Sequence, residues 1–193
     1  MHDRAEERLS EHQLIRQAAA GDQRAFESLL RRHDRRVLLL ALRLTGSPED
    51  AKDIYQEVFL RVYTGLAGFR EQSAFATWIH RITINVCMSH LASRRKNAQG
   101  ADRTKEDVGE NIAEPSREAP APEQRLLDAE RRERLNLALQ ALPPQQRLVF
   151  TLRHHEGFKL REIASLVGCR LGTVKRYLFE ATRTMRDQLQ DLV

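Results

Sequence analysis

The sequence predicts an all-α protein built as two small helical domains joined by a flexible linker. Three observations lead there. Apolar residues recur at helical spacing along most of the chain, and no strand-period segment reaches a useful length. Capping residues and glycines punctuate that pattern at regular intervals. Residues 98–125 interrupt it, holding Pro115, Pro120 and Pro122, half of the chain's six prolines, with almost no large apolar residue. The domains so bounded are 1–97 and 126–193.

The elements follow in order. Ser10 and Gln13 have the spacing of a capping box, with Leu9 and Leu14 placed to form the staple behind it. This first helix ends near Gly21. Asp22 caps the second helix, whose apolar face is Phe26, Leu29, Leu30, Val37, Leu40 and Leu44, and Gly46 ends it. Ser47-Pro48-Glu49-Asp50 is a strong restart: a cap, a proline in the first turn, then acids at the positive helix end. The third helix carries Ala51, Ile54, Val58, Val62 and Leu66 on one side. After the loop 68–73, Ser73 caps a long fourth helix from about Ala74 to Lys96. Helices resume near Glu123 and run to Leu142, break at Pro143-Pro144, and continue from Gln145 to Glu156 before Gly157. The last pair reads LREIASLVGCRLGTVKRYL, from Leu160 to Leu178. One short helical pattern (Leu160, Ile163, Ala164, Val167) stops at Gly168 and another (Leu171, Val174, Leu178) begins. Ala164 permits close approach, Gly168 can take a positive φ, and Val174 wedges between the helices. That spacing is a helix-turn-helix, which offers one helix to a DNA major groove.

Bulk properties favour an anionic partner. The net charge is +5, distributed as +4 over 1–97, −3 over 98–125 and +4 over 126–193, so two basic blocks flank an acidic connector. Two cysteines, Cys87 and Cys169, suit reduced thiols in the cytoplasm and not a disulfide framework. The N-terminus is too charged for a signal peptide, and no apolar run approaches the roughly 20 residues of a membrane span. The expectation is a soluble cytoplasmic protein with no direct membrane insertion.

Two further regions carry chemistry. FREQSAFATWIHRITINVCMSHLASRRK interleaves Phe69, Phe75 and Trp78 with Arg81, Arg94, Arg95 and Lys96. Aromatic faces stack on unpaired bases and cations neutralise phosphate. By spacing alone, Trp78, Ile82 and Val86 read first as the buried stripe of a helix, since such stripes are ordinary core. On the third helix, Asp53, Gln56 and Glu57 share a face with Leu60, a pattern that fits either a partner helix or plain solvation.

Together these residues form a pattern. DAKDIYQEVFLRVYTGL, then FREQSAFATWIHRITIN, then LPPQQRLVFTLRHHEGFKLREIASLVGCRLGTVK resembles the bacterial extracytoplasmic-function (group 4, sigma-70 family) RNA polymerase sigma factors, over about 22–96 and 126–190. The resemblance implies a four-helix sigma domain 2 and a helix-turn-helix sigma domain 4. It implies an activity without catalysis or cofactor: directing core polymerase to promoters and starting DNA melting. Asp53, Gln56, Glu57 and Leu60 match the motif that docks on the β′ clamp helices, and the second domain would meet the β flap. Phe69, Arg70, Ser73, Phe75 and Trp78 match the part that opens the minus-10 element. Asn85 matches a position contacting the extruded base, while Arg81, Arg94, Arg95 and Lys96 follow phosphate. Arg161, Thr173, Lys175, Arg176, Phe179 and Glu180 match the minus-35 surface. An anti-sigma factor is the expected regulator.

The chain departs from the family pattern at three places. Ser89 stands where an acid is usual, Glu71 where glycine is usual in the loop, and Glu180 where an arginine would favour guanine or phosphate. A carboxylate at 180 can instead accept from cytosine N4. Two other classes compete: a stand-alone helix-turn-helix regulator, which needs neither the Asp53 face nor the aromatic loop, and a polymerase-binding adaptor without promoter use. Cys87 and His90 lie one turn apart but lack the further ligands of a metal site. No phosphate loop or nucleophile-base motif points to an enzyme.

Overall fold

The computed structural model describes residues 9–70, 73–98 and 122–190, with side chains over 9–70, 73–94 and 130–190. Among these residues the regular structure is helical: α1 (Glu11–Ala19), α2 (Gln23–Thr45), α3 (Pro48–Gly65), a 3-10 turn (Leu66–Gly68), α4 (Phe75–Ala98), α5 (Pro122–Ala141), α6 (Pro144–His154), α7 (Leu160–Val167) and α8 (Leu171–Gln188). The chain forms two compact units, one of Met1–Ala41 with Glu49–Ser93, the other of Leu42–Pro48 with Arg94–Val193. None of the described helices is long and apolar enough to cross a membrane.

The first unit is assembled from well-capped helices. Ser10 N donates to Gln13 Oε1 (2.9 Å), and Gln13 N donates back to Ser10 Oγ (3.3 Å), so the capping box closes as the spacing predicts. Asp22 Oδ1 accepts from the backbone N–H of Arg24 (2.9 Å) and Ala25 (3.2 Å), satisfying two orphan donors of α2. Helix α3 starts at Pro48 with Glu49 and Asp50 in its first turn. Helix α4 starts one residue later than expected. The carbonyl of Ala74 accepts from Thr77 N (2.9 Å) and Trp78 N (3.2 Å), which places Ala74 at the cap position.

Burial follows the helical period. Leu29, Val37, Leu40 and Leu44 of the expected α2 face are buried, whereas Phe26 and Leu30 are half-buried. Ala51, Ile54, Val58, Val62 and Leu66 are buried as expected, joined by Phe59. Each large aliphatic side chain contributes on the order of 2 kcal/mol. Edge-to-face rings lock the helices in angle: Phe26 on Tyr63 (centroids 5.1 Å) joins α2 to α3, and His33 on Phe75 (5.1 Å) joins α2 to α4. His33 Nε2 also reaches Glu11 Oε1 at 2.9 Å, tying α1 to α2. Burial holds the His33 pKa below its ordinary value, although Glu11 pulls the other way.

In the second unit α8 packs against α5, α6 and α7. Ala138, Leu139 and Leu142 meet Ala181 and Met185, with Phe150 and Leu189 at the margin. Pro143 precedes α6 and Pro144 is its first residue, one position ahead of the expected start, and the helix ends at His154. Arg147 Nη2 donates to the carbonyls of Gln140 (2.6 Å) and Leu142 (3.2 Å), capping the end of α5 from inside the unit. Helix α5 begins at Pro122, so the last four residues of the expected 98–125 connector are helical; residues 99–121 lie outside the described residues.

Candidate nucleic-acid interface

The helix-turn-helix is set by its turn. Gly168 has φ 70° and ψ 35°, left-handed backbone that costs a residue with a Cβ about 1–2 kcal/mol. Gly168 N and Cys169 N both donate to the carbonyl of Ala164, which closes α7. At the other end of α7, Lys159 N donates to Glu162 Oε2 (2.7 Å). Ile163 and Leu166 of α7 and Val174 of α8 are buried. Leu166 is absent from the expected pattern, and Leu160, Ala164 and Val167 are only half-buried.

With Val174 at 0% exposure the opposite side of α8 faces solvent. Lys175, Arg176 and Phe179 are exposed, Phe179 at 70%; Thr173, Tyr177 and Glu180 are half-exposed, and Arg161 is exposed on α7. Arg176 lies 5.3 Å from the Tyr177 ring centroid, within cation–π range. Glu180 is not a free carboxylate. Its Oε2 accepts from Gln146 Nε2 (2.9 Å), and its Oε1 lies 3.8 Å from Arg176 Nε. An acceptor role toward cytosine therefore falls to a carboxylate that already holds one hydrogen bond from α6. Gln146 was missed by sequence reasoning, since nothing in its spacing marks it.

The first unit brings the aromatic group together. Phe69 N donates to Leu66 O (3.1 Å) at the end of the 3-10 turn. The Phe69 ring then meets Phe75 (5.6 Å) and Trp78 (5.0 Å), and Phe75 meets Trp78 (5.5 Å). Phe69 and Trp78 are half-exposed, while Phe75 is 4% exposed. Phe75 therefore belongs to the core behind the other two rings and does not present a face for a base, because it lies at the first turn of α4 against His33. Arg70 and Ser73 are exposed in the loop; Glu71 lies outside the described residues.

Along α4 the buried side is Phe75, Ile79, Thr83, Ile84, Val86 and Cys87. Burial raises the Cys87 thiol to about 12. Arg81, Asn85 and Ser89, four residues apart, are all exposed and form one polar stripe leading away from Trp78. Arg94 is exposed; the side chains of Arg95 and Lys96 lie outside the described residues. Ile82 is half-buried, so only part of the expected stripe Trp78-Ile82-Val86 is core. His90 Nε2 lies 3.1 Å from Asp50 Oδ1, in the first turn of α3. Among the described residues no group of three or more His, Cys, Asp or Glu could hold a metal.

On α3, Asp53, Gln56, Glu57 and Leu60 are all exposed, Leu60 at 64%, opposite the buried Ile54 and Val58. Glu57 pairs with Arg61 one turn on. Tyr63, 59% exposed, extends the apolar part of this face beyond Leu60 and was also missed. Its helical register with Leu60 and Gln56 was the available signal.

These surfaces, an acidic-apolar helix face, an aromatic loop with a polar stripe and an exposed recognition helix, coincide with known sequence families. Sigma-70 region 2 matches residues 29–97, and Sigma-70, region 4 matches residues 132–185. The class of protein is thus an RNA polymerase sigma factor, a non-enzymatic transcription initiation factor. The RNA polymerase sigma-H factor of Pseudomonas aeruginosa is 33% identical over 187 residues, covering 95% of each chain. The ECF RNA polymerase sigma-E factor of Escherichia coli K12 is 31% identical over 189 residues, covering 97% of this chain and 98% of the relative. The chain belongs to the extracytoplasmic-function sigma factors. Solved structures share its fold: the sigma factor RpoE of Bartonella quintana, in complex with the anti-sigma factor NepR (TM-score 0.67, 22% identity, 86% of this chain and 96% of that one), and CnrH in complex with the cytosolic domain of CnrY (TM-score 0.62, 23% identity, 92% and 96%).

Proposed function

We propose that this sigma factor grips a promoter at two points, with 1–97 holding core polymerase and the minus-10 element, 126–193 holding the minus-35 element, and 98–125 connecting them. Asp53, Gln56, Glu57 and Leu60 dock on the β′ clamp helices, and the second domain meets the β flap. Phe69 and Trp78 stack on unpaired bases, with Phe75 as their backing. Asn85 contacts an extruded base, and Arg70, Ser73, Arg81, Arg94, Arg95 and Lys96 follow the strand. Arg161 and Lys175 take phosphate in the minus-35 grip, while Thr173, Arg176 and Phe179 face base edges. Glu180 shapes that face from within.

The observation that supports this reading best is the α4 stripe. Half-exposed Trp78 continues into exposed Arg81 and Asn85 while the other side of the helix is core. A stacking platform followed by a cation and an amide suits single-stranded DNA, which a repressor of duplex operators has no use for. Melting then needs no catalytic group: flipped bases captured on the rings and polymerase binding supply the driving force. The protein acts in the cytoplasm beside core polymerase.

An anti-sigma factor regulates it by covering the Leu60 and α8 surfaces. Two proteins of this fold occur in such complexes, RpoE with the anti-sigma factor NepR and CnrH with the cytosolic domain of CnrY, which supports a partner of this kind by analogy.

Run-off transcription with purified core polymerase on a pool of genomic promoter fragments tests the proposal. Initiation that depends on both core and this chain is expected. Binding to core without any initiation would favour the adaptor reading, and no core-dependent initiation would defeat the proposal.

A further inference from the structure

We infer that Gln146, half-buried on α6 and bonded to Glu180, is a positioning residue that sets base preference at the minus-35 element. The inference rests on the proposed reading of Arg176 as a base-facing side chain.

Arginine has a long side chain with many rotamers, and a planar fork that reads a base edge only in a narrow range of directions. On α8, Arg176 is flanked on two sides. The Glu180 carboxylate lies one turn on, 3.8 Å from its Nε, and the Tyr177 ring lies 5.3 Å from its Cζ. An exposed pair at this spacing on a helix is ordinarily loose. Here one end of it is anchored. Gln146 Nε2 donates to Glu180 Oε2 at 2.9 Å, from a different helix and across a sequence separation of 34. Gln146 is half-buried, so its amide is held by the packing of α6 on α8.

The anchor has two consequences. It draws the Glu180 charge toward the domain and away from the phosphates that a groove-bound α8 would approach. It also leaves Glu180 Oε1 pointing at the guanidinium, which biases Arg176 toward one direction before DNA arrives. The neutral amide is suited to this task. A cation at 146 would compete with Arg176 for the carboxylate, and a carboxylate there would repel Glu180.

The test uses holoenzyme assembled from core polymerase and the full chain, with selection from promoters randomised across the minus-35 element and sequencing of the bound fraction. Arg176→Ala is expected to erase preference at one or two adjacent base pairs. Gln146→Ala is expected to weaken preference at those same base pairs by about fivefold, the low end of one bidentate contact, while preference elsewhere and the salt dependence of binding stay as in the native protein. Gln146→Glu keeps side-chain size and is expected to alter the same base pairs, which guards against a packing artefact. In a Glu180→Ala background, Gln146→Ala should add nothing. If Arg176→Ala selects the same promoters as the native protein, the base-facing reading itself fails. If Arg176→Ala erases the preference but both Gln146 variants keep it, the positioning role is overturned and the base-facing reading stands.

Discussion

A Cβ built on Gly65 would stand 3.2 Å from Trp78 Cζ2, so the last residue of α3 sits directly under the indole. The close approach ties the end of one helix to the ring that we place against unpaired DNA. Gly65→Ala gains helix propensity, about 0.5–1 kcal/mol, and forces the indole to shift by a few tenths of an ångström. Because the indole is half-exposed it has room to tilt. Global stability is therefore expected to stay within about 1 kcal/mol of the native value, while affinity for a single-stranded minus-10 oligonucleotide falls by about fivefold, part of one stacking contact. Fluorescence anisotropy of a dye-labelled oligonucleotide titrated with holoenzyme measures the effect directly.

The α3 face gives a cleaner separation of folding from binding. Leu60 is 64% exposed, so Leu60→Ala should change unfolding free energy by no more than about 0.5 kcal/mol. If Leu60 anchors polymerase, its loss should weaken core binding by about 2 kcal/mol, roughly thirtyfold. Competition between native and variant chains for limiting core polymerase reads this out. Equal competition would remove Leu60 from the interface.

Gly168 makes a structural prediction with a functional echo. At φ 70° an alanine is strained, and Gly168→Ala should destabilise the second domain by about 1–2 kcal/mol. Differential scanning calorimetry should show the loss, and transcription should fall more on promoters that depend on the minus-35 element than on those that do not.

His33 links pH to stability. Burial lowers its folded pKa below the unfolded value of 6.5. In the window below 6.5 the unfolded chain binds the proton and the folded chain resists it, so stability present above pH 6.5 is lost as pH falls. The melting temperature should therefore drop between about pH 7 and about pH 5. His33→Gln should flatten that drop. Glu11→Gln removes the neighbour that holds the folded pKa up and should steepen it.

The two thiols should differ in the native state. Cys87 is buried with its pKa raised to about 12, whereas Cys169 is half-buried at the helix-turn-helix corner. A maleimide is expected to label Cys169 first and to reach Cys87 only after denaturant is added. Mass spectrometry of labelled peptides checks the order.

Local chemistry made most of the fold legible before any coordinates. Ser10 with Gln13, Asp22, Pro48 and Gly168 each act through neighbours within four residues, and each does what its spacing implied. The departures come from tertiary context. Phe75 looks like a surface aromatic in a basic helix, but His33 and the two other rings close over it. Glu180 looks like a free carboxylate, yet Gln146 takes one oxygen from another helix. Such contacts depend on how helices distant in sequence are brought together, which a helical period does not encode. The placement of Arg81 and Asn85 on one open stripe was legible for the converse reason, since four-residue spacing fixes it within a single helix.

Permanganate footprinting of a promoter bound by core polymerase with and without this protein tests the central claim most directly, because it detects unpaired thymines at the minus-10 element. The account predicts reactive thymines with the native chain, a marked loss with Trp78→Ala, and no reactivity with core alone. Reactivity that is the same for native and Trp78→Ala chains, or absent with both, would contradict it.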